Sequence, residues 1–165
     1  MLKSAYWLLI AVIVVALDYW TKSVASAQLV YGQAVEVFSF FDLRLLHNTG
    51  AAFSFLAQEG GWQRWMFAGI AVIVSVALVV WLLRTPHRFW VLCSGLSLVI
   101  GGALGNLYDR IVHGYVVDFI SVHGWGYYFP AFNIADVAIS LGAVLMLVDG
   151  LFLESKRNQA NHTPD

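Results

Sequence analysis

The sequence predicts an all-α membrane protein with four transmembrane helices, a small extracytoplasmic β segment after the first helix, and a re-entrant or surface loop before the fourth. Three observations carry this reading. Of 165 residues, 60% are hydrophobic and only 12% charged, with a mean hydropathy of +0.74. A soluble domain usually holds about twice that charged fraction, and too little polar side chain remains to coat a globule. Four apolar segments recur, at about 6–24, 65–83, 89–107 and 130–153. Between the first two, the periodicity changes from helical to alternating. The length suits a single membrane domain, 1–165, without a separate soluble one.

The first segment is apolar to Leu17 and then meets Asp18 and Lys22. Lys3, the apolar run and Ala25-Ser26-Ala27 also resemble a cleavable secretory signal. Asp18, Tyr19, Trp20 and Lys22 fall between run and site, however, and such residues suit a retained helix end anchored at the interface. From about 29 to 57, Val35-Glu36-Val37 and Asp42-Leu43-Arg44-Leu45 alternate with period two and read as short strands. Asn48-Thr49-Gly50 reads as a turn, and Gly60-Gly61 precedes the second span. Trp65 to Leu83 is nineteen residues without a charge, roughly 28 Å of helix and enough for a bilayer core. His113 to Tyr128, rich in aromatics and glycine, reads as the irregular loop. In the fourth span, Pro130 is placed at the first helical turn, which puts Asp136 about a turn and a half inside.

Four spans leave both termini on one side. Lys3, Arg84, Arg88, Lys156 and Arg157 lie there, against Lys22, Arg44, Arg64 and Arg110 on the other. The density of basic residues in the 84–88 loop and the tail places the termini in the cytoplasm. The β segment and the 109–128 loop then face outward.

Several chemistries find no support. A net charge of −1 without long single-sign runs does not suit nucleic acid. One cysteine, Cys93, permits neither an intrachain disulfide nor a cysteine metal cluster, and it sits in an apolar run where a thiol behaves as a small hydrophobe. The five histidines lack H-E-x-x-H spacing, so neither a metal nor a cofactor is expected. Lys22-Ser23 are neighbours that point apart on a helix, and Ser94-Gly95 lacks an intramembrane serine protease pattern.

Ionisable groups at membrane depth are costly and mark either function or a paired structural lock. Asn106, Asp109 and Arg110 share a helix face at i, i+3, i+4, and Gly101 and Gly105 form a small-xxx-small pair. The same residues fit a packing seam closed by an Asp109–Arg110 pair, which is the favoured role for Arg110. Asp118 stands among Val116, Val117, Phe119 and Ile120, where a solvated loop acid would keep polar company; an acid bonded to its own loop is the alternative. Asn133 and Asp136 share a face at i, i+3, and a helix N-terminus favours a carboxylate there on purely structural grounds. If the loop folds back, Asp118 and Asp136 meet. Two carboxyls in contact cannot both ionise cheaply, so they share a proton and can activate a water.

These motifs resemble, in order and spacing, those of bacterial lipoprotein signal peptidase (signal peptidase II): Asn48 through Ser54, Gly101 through Arg110, Val116 through Phe119 and Phe132 through Asp136, with Asp18 and Lys22 fitting the first motif. The resemblance covers nearly the whole chain. It implies four helices in the bacterial cytoplasmic (inner) membrane, an extracytoplasmic β-cradle, and removal of signal peptides from prolipoproteins just before a diacylglyceryl-modified cysteine. It implies catalysis by Asp118 and Asp136 and a pocket lined by Asn48, Gly50, Asn106, Arg110 and Asn133, supported by Asp109, Asp18 and Lys22. It further implies contact with membrane lipid and inhibition by globomycin-type cyclic peptides.

Two other classes make distinguishable predictions. A proton or ion transporter needs carboxylates spread along a path through the membrane, whereas here they gather at one side and the second span carries none. A scaffold whose polar residues only pack helices predicts that Asp→Asn at 118 or 136 is mild.

Overall fold

The computed structural model describes residues 2–50 and 61–154. The 51–57 end of the expected β segment, the Ala51–Ser54 part of the Asn48–Ser54 motif and the basic tail lie outside the described residues. A short 3₁₀ turn, Leu2–Trp7, leads into helix α1, Leu8–Gln28. Strands β1, Ala34–Phe38, and β2, Phe41–Asn48, form a hairpin before α2, Trp62–Arg84. Helix α3, Trp90–Val112, is followed by β3, Val116–Gly124, and β4, Tyr127–Tyr128. Helix α4, Ile134–Val148, ends in a π-helical turn, Asp149–Leu153. Among the described residues four helical stretches are long and apolar enough to cross a membrane: Ser4–Gln28, Trp62–Arg84, Trp90–Val112 and Ile134–Leu153.

Helix α3 is the hub. It alone is buried along most of its length, while the others turn apolar side chains such as Leu9, Ile73 and Leu147 outward. Its small residues explain how closely α1 and α4 approach it. Gly101 lies against the α1 backbone, where an added Cβ would sit 2.8 Å from the Ala11 carbonyl oxygen. Gly102 meets Ala135 of α4, Gly95 meets Gly142, and Gly105 leaves room for the Asp18 carboxylate. The expected small-xxx-small seam is therefore real, and its partner is α1.

All four strands belong to one antiparallel sheet in the order β1-β2-β3-β4. They connect α1 to α2 and α3 to α4, which places the sheet at the end of the bundle away from Ser4 and the Thr85 loop, themselves joined by a hydrogen bond of 2.7 Å. The stretch 113–128 is thus not an irregular loop. Gly114, at φ +86°, bonds back to the Asp109 carbonyl (3.2 Å) and turns the chain out of α3. Val116 to Ile120 then reads as the near-continuous apolar run of a strand covered on both faces. Residues 129–132 also differ from expectation: Phe129 and Phe132 bond to β3, so Pro130 lies in an extended segment and α4 starts only at Ile134. The hairpin tips project exposed Phe38, Phe40, Trp125, Tyr127 and Tyr128.

A methyl group at Gly102 has no space between α3 and α4. Gly102→Ala should destabilise the detergent-solubilised protein by about 1–3 kcal/mol, while Gly69→Ala, where a Cβ meets nothing within 4 Å, should be neutral or slightly stabilising. Thermal unfolding of the two variants checks this.

Candidate functional site

The site forms where α3, α4 and the sheet meet. A β-bulge in β2 is its first requirement. Leu43 pairs with Ile120, but Leu46 pairs with Asp118, so β2 holds one extra residue in between. A slip of one residue reverses the faces of a strand. The bulge therefore puts Leu46 and Asn48, rather than Leu45 and His47, on the face shared with Asp118.

Asp118 is buried, and both its oxygens accept from amides: Oδ1 from Asn133 Nδ2 at 2.7 Å, Oδ2 from Asn48 Nδ2 at 3.1 Å. Asn48 is oriented by the Gly50 N–H, which donates to its Oδ1 at 3.0 Å. Asp136 is the third residue of α4 and half of a capping box with Asn133. Its N–H donates to Asn133 Oδ1 at 3.0 Å, and its Oδ2 accepts the Asn133 N–H at 3.2 Å. Its Oδ1 accepts Asn106 Nδ2 at 2.8 Å. Asn133, with 0% exposure, thus caps a helix with its backbone and oxygen while its NH₂ serves Asp118.

Behind this layer lies a buried charge cluster. Lys22 pairs with Asp18 at 2.7 Å and Asp109 at 3.0 Å, and donates to Asn106 Oδ1 at 3.0 Å. Asp18 Oδ1 accepts the Ala135 N–H (2.9 Å) and Asp109 Oδ2 the Val117 N–H (3.0 Å), so two carboxylates on α1 and α3 also satisfy the starts of α4 and β3. Arg110 does not take the expected partner. Asp109 is turned toward Lys22, while the Arg110 guanidinium donates to the Asn106 and Gly50 carbonyls (3.2 and 3.5 Å) and lies 5.5 Å from the Phe67 ring centroid. Adjacent helical positions point about 100° apart, enough to send Asp109 toward α1 and Arg110 toward the cavity.

The cavity measures about 530 Å³ and is lined by Asn48, Asn106, Arg110, Asp118 and Asp136 on one side and by Val116, Phe129–Phe132, Val137 and Ile139–Leu141 on the other. Asn133, Asp109, Asp18 and Lys22 stand behind its wall. Val116, Val137 and Ser140 were not anticipated; Ser140 follows Asp136 at i+4, a spacing that puts it on the same face. Among the described residues no three His, Cys, Asp or Glu side chains converge on a point that could hold a metal ion.

Residues 10–152 match the family model described as signal peptidase (SPase) II. The chain belongs to the signal peptidase II family. It is 54% identical over 151 residues to the lipoprotein signal peptidase of Acinetobacter baumannii, a match covering 92% of this chain and 86% of that one. It is 52% identical over 158 residues to that of Pseudomonas aeruginosa, covering 94% and 93%. Two bacterial membrane enzymes solved by the in meso method share the fold. One has a TM-score of 0.79 at 32% identity, covering 98% of this chain and 93% of the other; the second scores 0.77 at 34%, covering 90% and 94%. As a signal peptidase II, the chain is a multi-pass membrane protease.

Burial among apolar neighbours, and secondarily the Asp136 charge, push the Asp118 carboxyl up to about 7. A carboxyl raised on folding binds more protons in the folded than in the unfolded chain between its ordinary range and 7, so folding stability falls as pH rises through that window. Wild type should lose stability from about pH 4 to pH 7 relative to Asp118→Asn, in which the slope is removed. Unfolding midpoints across that range in detergent give the comparison.

Proposed function

We propose that this signal peptidase II removes signal peptides from diacylglyceryl-modified prolipoproteins, cutting before the lipid-bearing cysteine, with Asp118 and Asp136 as its catalytic pair. One observation carries the reading: two carboxyl groups from different elements, β3 and α4, open on one cavity, each held by two hydrogen-bond donors on the protein side. Donors on that side leave the remaining lone pairs free to face a water and a peptide.

In this mechanism a water lies between the two carboxyls. The ionised one takes its proton as the oxygen attacks the scissile carbonyl carbon. The protonated one donates to the carbonyl oxygen, which becomes a hydroxyl of the tetrahedral intermediate. Collapse breaks the C–N bond, and a proton passes to the leaving amine. No covalent enzyme intermediate forms. Asn48, Asn106 and Asn133 hold the carboxyls in place, and Arg110 is placed to meet substrate carbonyls beyond the pair.

The lipid-bearing substrate is supported by the cavity's other wall. Phe129–Phe132, Val137 and Leu141 give it an apolar side continuous with the lipid-facing surface of α4, where Val144 and Leu147 are exposed. A diacylglyceryl peptide can enter laterally without leaving the bilayer, and membrane lipid and globomycin-type cyclic peptides are further occupants of this path. The exposed aromatics of the hairpin tips suit headgroup depth. The enzyme then lies in the bacterial inner membrane with both termini cytoplasmic and the site toward the extracytoplasmic side.

With purified protein and a diacylglyceryl-modified prolipoprotein, Asp118→Asn and Asp136→Asn should each lower kcat by at least about a thousandfold while inserting normally. The unmodified precursor should be cut far more slowly than the lipidated one. Substantial cleavage by either variant would rule out the pair as the chemical centre.

A further inference from the structure

The buried lysine behind the pair has no role in the chemistry just described, yet one side chain separates it from Asp136. An ammonium group has three N–H donors and no acceptor. The donors of Lys22 go to Asp18, Asp109 and the Asn106 oxygen. The oxygen end of the Asn106 amide is thereby set, and its NH₂ end must face Asp136. Asn133 reinforces the polarity by donating to the same oxygen at 3.3 Å. The flip state of Asn106 decides which form of Asp136 is tolerated. With NH₂ forward the amide favours a carboxylate; reversed, its oxygen would face Asp136 and demand a protonated acid.

The second oxygen of Asp136 meets the backbone N–H of Asn133, whose polarity cannot change, and the group sits in the first turn of α4, where a negative charge is favoured. We propose that Lys22 is a positioning residue: by fixing the amide of Asn106 with its NH₂ toward Asp136, it holds the Asp136 carboxyl in the place the reaction needs. The inference rests on the reading of Asp118 and Asp136 as the catalytic pair. The charged groups around this relay are Asp18 and Lys22 on α1, Asp109 and Arg110 on α3, Asp118 on β3 and Asp136 on α4. Lys22 is the only one of them bonded to the Asn106 side-chain oxygen among the described residues.

The test is a double-mutant cycle with Lys22→Met and Asn106→Leu, read as kcat and KM of cleavage. Each single change should lower kcat on the order of tenfold to a hundredfold with little change in KM. The double variant should be no worse than the poorer single one, because both changes remove the same link. A role confined to helix packing would instead leave KM and kcat disturbed together and the two losses independent. Multiplying losses, or a loss in Lys22→Met carried by KM rather than kcat, would show that Lys22 only holds helices together and would overturn the proposal. If Lys22→Met does not insert, the same cycle is run on Lys22→Met/Asp109→Asn, which leaves one fewer bare carboxylate. Asp118→Asn and Asp136→Asn, assayed alongside, separate the two levels: activity in either defeats the catalytic pair itself, whereas two inactive aspartate variants with a multiplicative cycle defeat the relay alone.

Discussion

A lysine buried between two aspartates at one end of a lipid-facing bundle obliges every polar group near it to find a partner, and the partners found join α1, α3, α4 and β3. Lys22 comes from α1, Asp109 and Asn106 from α3, and Asp18 reaches the first turn of α4. An unpaired charge in such a place costs several kcal/mol, so the helices are bound to one register and one rotation. The cluster also explains why the carboxylates do not all repel: Asp18 and Asp109 flank a shared cation, whereas Asp118 and Asp136 are held by amides and a backbone N–H.

Asparagine is the residue that connects charge cluster to cavity, for a physical reason. An amide offers a donor and an acceptor on one rigid plane, so it transmits polarity from one neighbour to the next. Asn48, Asn106 and Asn133 each have the oxygen end engaged by a group that can only donate: the Gly50 N–H, the Lys22 ammonium and the Asp136 N–H. Each then turns its NH₂ toward one of the two carboxyls. A hydroxyl in any of these positions could rotate and would not impose that direction.

The sheet has a corresponding role. It sits at the end of the bundle and brings Asp118 and Asn48 over the start of α4, with the bulge between Leu43 and Leu46 setting which β2 side chains face the cavity. Hydrogen bonds from 129–132 to β3 draw the connection to α4 beneath the sheet, so that Asn133 reaches both Val117 and Asp118. The fit of α3 against α1 and α4 through glycine brings Asn106 close enough for its amide to span the gap between Lys22 and Asp136.

Composition and apolar run length were enough to read four spans, because a bilayer imposes a minimum length that is visible residue by residue. The polar residues at membrane depth were equally legible, since Asp18, Lys22, Asn106, Asp118, Asn133 and Asp136 stand out against apolar neighbours, and their order along the chain carried the resemblance to signal peptidase II. Strand β3 was not legible: an apolar run flanked by glycines has no alternation when both faces are covered. The start of α4 was not legible either: Pro130 suits a first turn, but the Asn133–Asp136 capping box decides where the helix begins. Adjacency favours an Asp109–Arg110 pair, yet the two side chains point to different neighbours. Which polar groups touch depends on a one-residue bulge, on glycine contacts between helices and on the competition of Lys22 for Asp109. All three join residues remote in sequence, so only the assembled structure could decide them.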